Sequence, residues 1–213
     1  MAKVTGKHIR AKDSFPCTGP ARTSGRNIRH WRRFTAAVAW MLVAVPCLHT
    51  QQSNRSEYEV KAAYLYNFGR FVGWPGTVSA AGEFFTICVL GEDPFGATLD
   101  RTIAGESING KKLAIKRIAK PQDALACRIL FISSREESRL KDILATLSKT
   151  SALTVSDIPQ FTRRGGMIQF VVEANKVRFE VNLAAAEHAG LTLSSQLLKV
   201  ALNVRRGPEP GDS

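Results

Sequence analysis

"RILFI", Arg128 to Ile132, is a short, nearly continuous apolar run bounded by Cys127 and Ser133. An amphipathic strand would alternate, and a buried helix would need ten or more residues. A run this short between turn residues therefore reads as a strand buried on both faces, the kind found in parallel sheets. The segments around it agree. "FFTICVL", Phe84 to Leu90, is a first strand broken by Gly91 to Pro94, with a short helix expected over Phe95 to Ile103. Pro94 is expected to start that helix and Asp93 to cap it. "KLAIKRI" alternates, placing Leu113, Ile115 and Arg117 on one side and Lys112, Ala114 and Lys116 on the other. Ser134 and Glu137 have capping-box spacing, and Leu140, Ile143, Leu144 and Leu147 recur at i, i+3, i+4 and i+7, which marks a helix leading to the strand "ALTVS". Strands alternating with helices predict an α/β domain with a largely parallel sheet.

Towards the C-terminus the pattern turns. "MIQFVVE" and "KVRFEVNL" are separated only by Ala174-Asn175, so they should pair as an antiparallel hairpin, with Val177, Phe179, Val181 and Leu183 inward. A final helix is expected from Ser194 or Ser195 carrying Leu197, Leu198, Ala201 and Val204, followed by a frayed tail over 207–213.

Upstream of the sheet, "KAAYLYNFGRFVGWP", Lys61 to Pro75, holds five aromatic residues in fifteen positions. A core helix places Tyr64, Phe68, Phe71 and Val72 on one side, and Ser56 with Glu59 supplies a capping-box start. Trp74 and Pro75 are expected to close its C-terminal end. Rings left outside the core would suit a dimer or partner surface.

The chain of 213 residues carries a net charge of +12 with 44% hydrophobic residues, enough for one domain with a sizeable core. The charge is concentrated at the start. Residues 1–50 hold nine Lys/Arg against one acid, Asp13, leaving 21 basic and 17 acidic residues over 51–213. Arg29, Arg32 and Arg33 run into "FTAAVAWMLVAVP", thirteen uncharged residues from Phe34 to Pro46. That order is the n-region and h-region of a secretory signal, short of the roughly 20 residues a spanning helix needs. We expect 1–52 to be a basic leader and signal peptide, with export and a mature chain beginning near residues 48 to 54, the alternative being an N-terminal membrane anchor or a buried helix. The folded domain is then 53–206. A nucleic-acid partner is not expected, because the basic excess belongs to the leader.

Only Cys88 and Cys127 remain after that segment. An even number suits an oxidising compartment, and two unpaired buried thiols are the alternative. Neither lies in a Cys-x-x-Cys motif. The one histidine left, His188 in "AAAEHAG", offers at most one base for a His-dependent site. "VLGEDPFG" occupies the position of a phosphate-binding turn but lacks the second glycine of the dinucleotide pattern, and Glu92 and Asp93 would repel a phosphate. No catalytic residue, cofactor or metal is expected. Arg163 and Arg164 beside Gly165 and Gly166 offer a place to hold an anion or a partner's carboxylate, the alternative being a solvated turn. Arg178 and Glu180, outward on the last strand, are taken with them as candidate partner-binding residues.

Together "KAAYLYNFGRFVGWP", "ICVLGEDPFG", "INGKKLAIKRI", "CRILFIS", "LTVSD" followed by Phe161, "GGMIQFVVEANKVRFEVNLAAAEHAGL" and "SSQLLKVA" give the chain from about Ser56 to Val204 a resemblance to the YfiR-like family, periplasmic repressors of membrane-bound diguanylate cyclases. The resemblance implies a three-layer, Rossmann-like, mostly parallel α/β sheet and a homodimer. It also implies binding to the periplasmic sensor region of a cyclase that makes cyclic di-GMP, a signal that controls biofilm formation. It places one disulfide at Cys88 and Cys127. A second cysteine pair of the family falls after "LTVSD", where this chain has none, so redox sensing through that pair is not carried over. The competing expectation is a periplasmic small-molecule-binding domain, because doubly wound sheets bind ligands beyond the carboxyl ends of their strands.

Overall fold

The computed structural model describes residues 49–76 and 83–207, with side chains from Glu57 onward. The basic leader, the apolar run Phe34–Pro46 and the tail 208–213 lie outside the described residues.

The first of the described helices, α1, runs from His49 to Phe71 and passes through Ser56, so Ser56 is not its cap. It ends because Val72–Gly73 (β1) pairs antiparallel with Thr192–Leu193 (β9), while Phe71 accepts a backbone hydrogen bond from Ser194. Trp74 and Pro75 thus follow a strand rather than the helix itself, and Trp74 packs edge-on against Phe85, with ring centroids 5.2 Å apart.

The sheet contains β2 (Phe84–Leu90), β3 (Ser107–Ile108), β4 (Lys111–Ile118), β5 (Ile129–Ile132), β6 (Leu153–Ser156), β7 (Ile168–Glu173), β8 (Lys176–Asn182) and β10 (Asn203–Arg205), in the order β10-β8-β7-β6-β5-β2-β4-β3. From β4 through β2, β5 and β6 to β7 every pairing is parallel. β5 is buried at all four positions, as its unbroken apolar run requires. Ile87, Val89, Ile129, Phe131, Leu153 and Val155 join the core on one face. Cys88, Leu90, Leu130 and Ile132 join a separate core on the other. The first core also takes Ala62, Leu65 and Phe68 of α1, Leu99 and Ile103 of α2 (Ala97–Ile103), Ala186 of α4 (Leu183–His188) and Leu197 of α5 (Ser195–Val200). The second takes Leu140, Ile143 and Leu147 of α3 (Leu140–Leu147).

The expected hairpin is present: β7 and β8 pair antiparallel through Ala174 and Asn175, both at positive φ (47° and 59°), as a two-residue turn matching the strand twist demands. It is not the end of the sheet. The expected final helix stops at Val200, and Asn203–Arg205 instead adds β10 parallel to β8. Leu202 donates its backbone N–H to Phe179, so the open edge of β8 competes successfully with another helical turn. Three smaller expectations are also corrected. α2 begins at Ala97, because the Asp93 carboxylate accepts the Phe95 N–H in a local turn instead of capping a helix at Pro94. The cap before α3 is Ser133, one residue earlier than expected, and a 3₁₀ segment over Ser134–Arg139 precedes the α-helix. Leu183 opens α4 rather than ending β8, with Asn182 accepting the Ala185 N–H.

Candidate functional site

Among the parallel strands the order reverses between β2 and β5, the place where open α/β sheets leave a crevice at the strands' carboxyl ends. Here the crevice is filled by the protein's own side chains. On one face Tyr58 of α1 meets Phe95, which follows β2, and Phe95 meets Phe131 of β5, at centroid distances of 5.3 and 4.8 Å. On the other, Glu136 presses against Gly91, where an added Cβ would lie 2.7 Å from the carboxylate; Gly91 sits at φ +85° and admits this approach.

Beside these edge-on rings lies a buried charge cluster. Lys61, 2% exposed, places Nζ 2.7 Å from Asp157 Oδ2 and 2.6 Å from Glu57 Oε1. Tyr58 donates its hydroxyl to the same Asp157 oxygen at 2.9 Å, and its ring lies 4.3 Å beneath the ammonium. Burial first, then the Asp157 charge, pushes the Tyr58 phenol well above its ordinary value. Asp157 follows β6, held by a turn in which Ser156 Oγ accepts the Ile158 N–H and donates to Ile132. Sequence reading missed this site. Lys61 opens the aromatic segment and Asp157 closes "LTVSD", but 96 residues separate them and no local pattern links the two.

The residues singled out from sequence are only partly gathered. Arg164 is engaged within the chain, donating from Nη1 to Glu137 Oε1 at 3.0 Å and from Nη2 to the Glu137 carbonyl. Glu180 accepts from Thr162 Oγ1 at 3.4 Å, and Asn182 donates to the Thr162 carbonyl at 2.9 Å, which brings β8 against the loop that carries Arg163. Arg163 and Arg178 are exposed, and Arg178 shares the β8 face of Glu180. Cys88 and Cys127 form a disulfide with Cα atoms 5.8 Å apart, inside the second core. The acids of "VLGEDPFG" face guanidinium groups of the protein: Asp93 lies 2.7 Å from Arg117 Nε and Glu92 3.3 Å from Arg135 Nε. Asp100 also pairs with Arg117, and that hydrogen bond holds the Asp100 carboxyl below its ordinary range. His188 is exposed and borders a surface pocket of about 150 Å³ lined by Leu144, Leu147, Thr154 and Met167.

Among the described residues no group of His, Cys, Asp or Glu is placed to hold a metal ion, and no helix is long and apolar enough to cross a membrane. The fold and its sites define an α/β domain whose buried polar groups lock its helices and loops to the sheet. The chain belongs to the YfiR/HmsC-like family: the model of that family, DUF4154, matches residues 58–202. No curated protein sequence matches it. Among solved structures, a conserved domain protein from Vibrio cholerae O1 biovar El Tor is similar at a TM-score of 0.50 and 11% identity, over 70% of this chain and 60% of that one. The ABC domain from Streptococcus pneumoniae in complex with L-Trp is similar at a TM-score of 0.42 and 12% identity, over 56% of this chain and 55% of that one. The chain thus spans somewhat over half the length of each, and at these identities the Vibrio likeness concerns fold alone.

Proposed function

We propose that the protein is a periplasmic regulator that binds the periplasmic sensor region of an inner-membrane diguanylate cyclase and holds it inactive, so limiting cyclic di-GMP and biofilm formation. Membership of the YfiR/HmsC-like family carries this reading. The protein acts by complex formation and not by catalysis, as a homodimer. In that reading Arg163 and Arg178, both exposed, offer charged contacts to the partner; Arg164 and Glu180 hold the loop that carries Arg163, and Arg178 stands on β8 beside it. Residues 1–52 export the chain and are removed, and 53–206 form the working domain. The Cys88–Cys127 bridge favours this location, since such bonds persist in oxidising compartments. We read the sheet, with a core on each face, as the three-layer, Rossmann-like arrangement expected from sequence.

Deletion of the gene tests the proposal. Cellular cyclic di-GMP and surface attachment should rise, and re-expression should restore both. Unchanged nucleotide levels in a strain that normally makes the protein would count against the proposal. Export is tested separately by periplasmic fractionation and N-terminal sequencing, with a start expected between about residues 46 and 56.

A further inference from the structure

The surroundings of Lys61 are those of a recognition site for an ammonium group. A primary ammonium has three donors and no acceptor. Here it meets a carboxylate on the sheet side (Asp157 Oδ2, 2.7 Å), a carboxylate on the helix side (Glu57 Oε1, 2.6 Å) and the face of the Tyr58 ring at 4.3 Å, with Phe170 farther off at 5.9 Å. Two carboxylates and an aromatic face are the elements that bind amines elsewhere. Asp157 Oδ1 is buried without a hydrogen-bond partner, so the carboxylate is not fully used by the contacts it makes. The cluster also lies at the carboxyl ends of the parallel strands, where sheets of this order receive ligands. Its two halves belong to different elements. Glu57, Tyr58 and Lys61 come with α1, whereas Asp157 and Phe170 stay with the sheet.

We propose that this corner of the sheet is a primary-ammonium site that the protein fills with its own Lys61, so that the side chain latches α1 over the crevice and an alkylammonium group can take its place. Tethering gives Lys61 a high effective concentration, so the latch is closed in the unmodified protein. Asp157 anchors the site, and the Tyr58 ring covers it.

Lys61→Ala removes the atoms from Cγ to Nζ, a fragment equivalent to n-propylammonium. The variant should melt below the unmodified protein, and n-propylammonium should raise its melting temperature with a dissociation constant on the order of millimolar, reasonable for four non-hydrogen atoms. Equal concentrations of sodium or tetramethylammonium, which cannot donate hydrogen bonds, should not. Amides of Tyr58 to Tyr64 should exchange about tenfold faster in the variant and slow again with the amine, while β5 and β6 keep their protection. Adding Asp157→Asn should abolish the rescue. Equal shifts with propylammonium and tetramethylammonium, or rescue that survives Asp157→Asn, would overturn the proposal. Should Lys61→Ala fail to fold, NMR of the unmodified protein decides. The proposal requires a slowly exchanging Lys61 ammonium with adjacent methylene protons shifted upfield by the Tyr58 ring, and an ammonium exchanging freely at ordinary shifts refutes it.

Discussion

Cys88 in β2 and Cys127, two residues before β5, are joined at a Cα separation of 5.8 Å, and neither is more than 3% exposed. The bond ties neighbouring parallel strands at the base of the second core, where Leu130 of β5 is the register partner of Cys88. The separation lies in the ordinary range for a disulfide.

Closing a loop with a sequence separation of 39 should stabilise the fold by about 2 to 4 kcal/mol. Oxidised protein should melt on the order of 5 to 10 °C above the reduced form, and Cys88→Ala should match the reduced form without reductant. Non-reducing peptide mapping checks the bond itself: a linked peptide containing both cysteines is expected, and alkylation of both without reductant contradicts it.

Phe68 is fully buried, stacks on Phe170 at 5.9 Å and meets Phe179 edge-on at 5.1 Å. Phe68→Ala should cost about 3 to 5 kcal/mol in chemical denaturation, because the hairpin and helix on either side cannot collapse into the space. Val60→Ala, at an exposed position of the same helix, should stay within about 0.5 kcal/mol.

The two glycines of the Arg-Arg-Gly-Gly turn should respond differently. A Cβ at Gly166 would enter the fully buried Phe161 ring, so Gly166→Ala forces a repacking that costs about 1 to 3 kcal/mol or more. Gly165 has φ +99° with only Leu144 nearby, at 3.8 Å, and Gly165→Ala should cost about 1 kcal/mol through its backbone alone. Reversal of that order in urea unfolding would show that Phe161 can move aside.

Tyr58 makes stability fall in alkali. Its folded-state pKa lies above the unfolded value of 10.0, so above about pH 10 the unfolded chain releases the phenolic proton first and binds fewer protons than the folded one. The contribution is complete below pH 10 and is lost as pH rises through the folded value. Tyr58→Phe should flatten the decline measured by urea unfolding between about pH 9 and 11.

Legibility in the sequence followed the range of the interactions. β5 could be read because burial on both faces writes itself into four consecutive residues, and the β7–β8 hairpin because its turn is local. The β3–β4 hairpin carries a local signal of the same kind, Asn109-Gly110 at φ 51° and 78°. β10 was not legible. "ALNVR" has the apolar spacing to continue a helix, and what makes it a strand is the edge of β8, some twenty residues earlier. The Lys61–Asp157 pair escaped for the same reason over a longer span. Arg163 and Arg164 look alike in sequence and both are exposed, and the position of Glu137 is what gives Arg164 an ion pair within the chain.

The rings that cover α1 arrive late in the chain. Tyr64 and Phe68 lie against Phe170 and Phe179, more than a hundred residues further on. A polypeptide emerging N-terminus first can therefore set Phe95 against Tyr58 early, but it carries the Tyr64 and Phe68 face of α1 uncovered through most of its synthesis, until the hairpin has followed it out. Contacts of such long range form slowly. The delay favours passage through a narrow conduit as an unfolded thread, and it leaves the same helix the part of the newborn chain with most need of a holding chaperone.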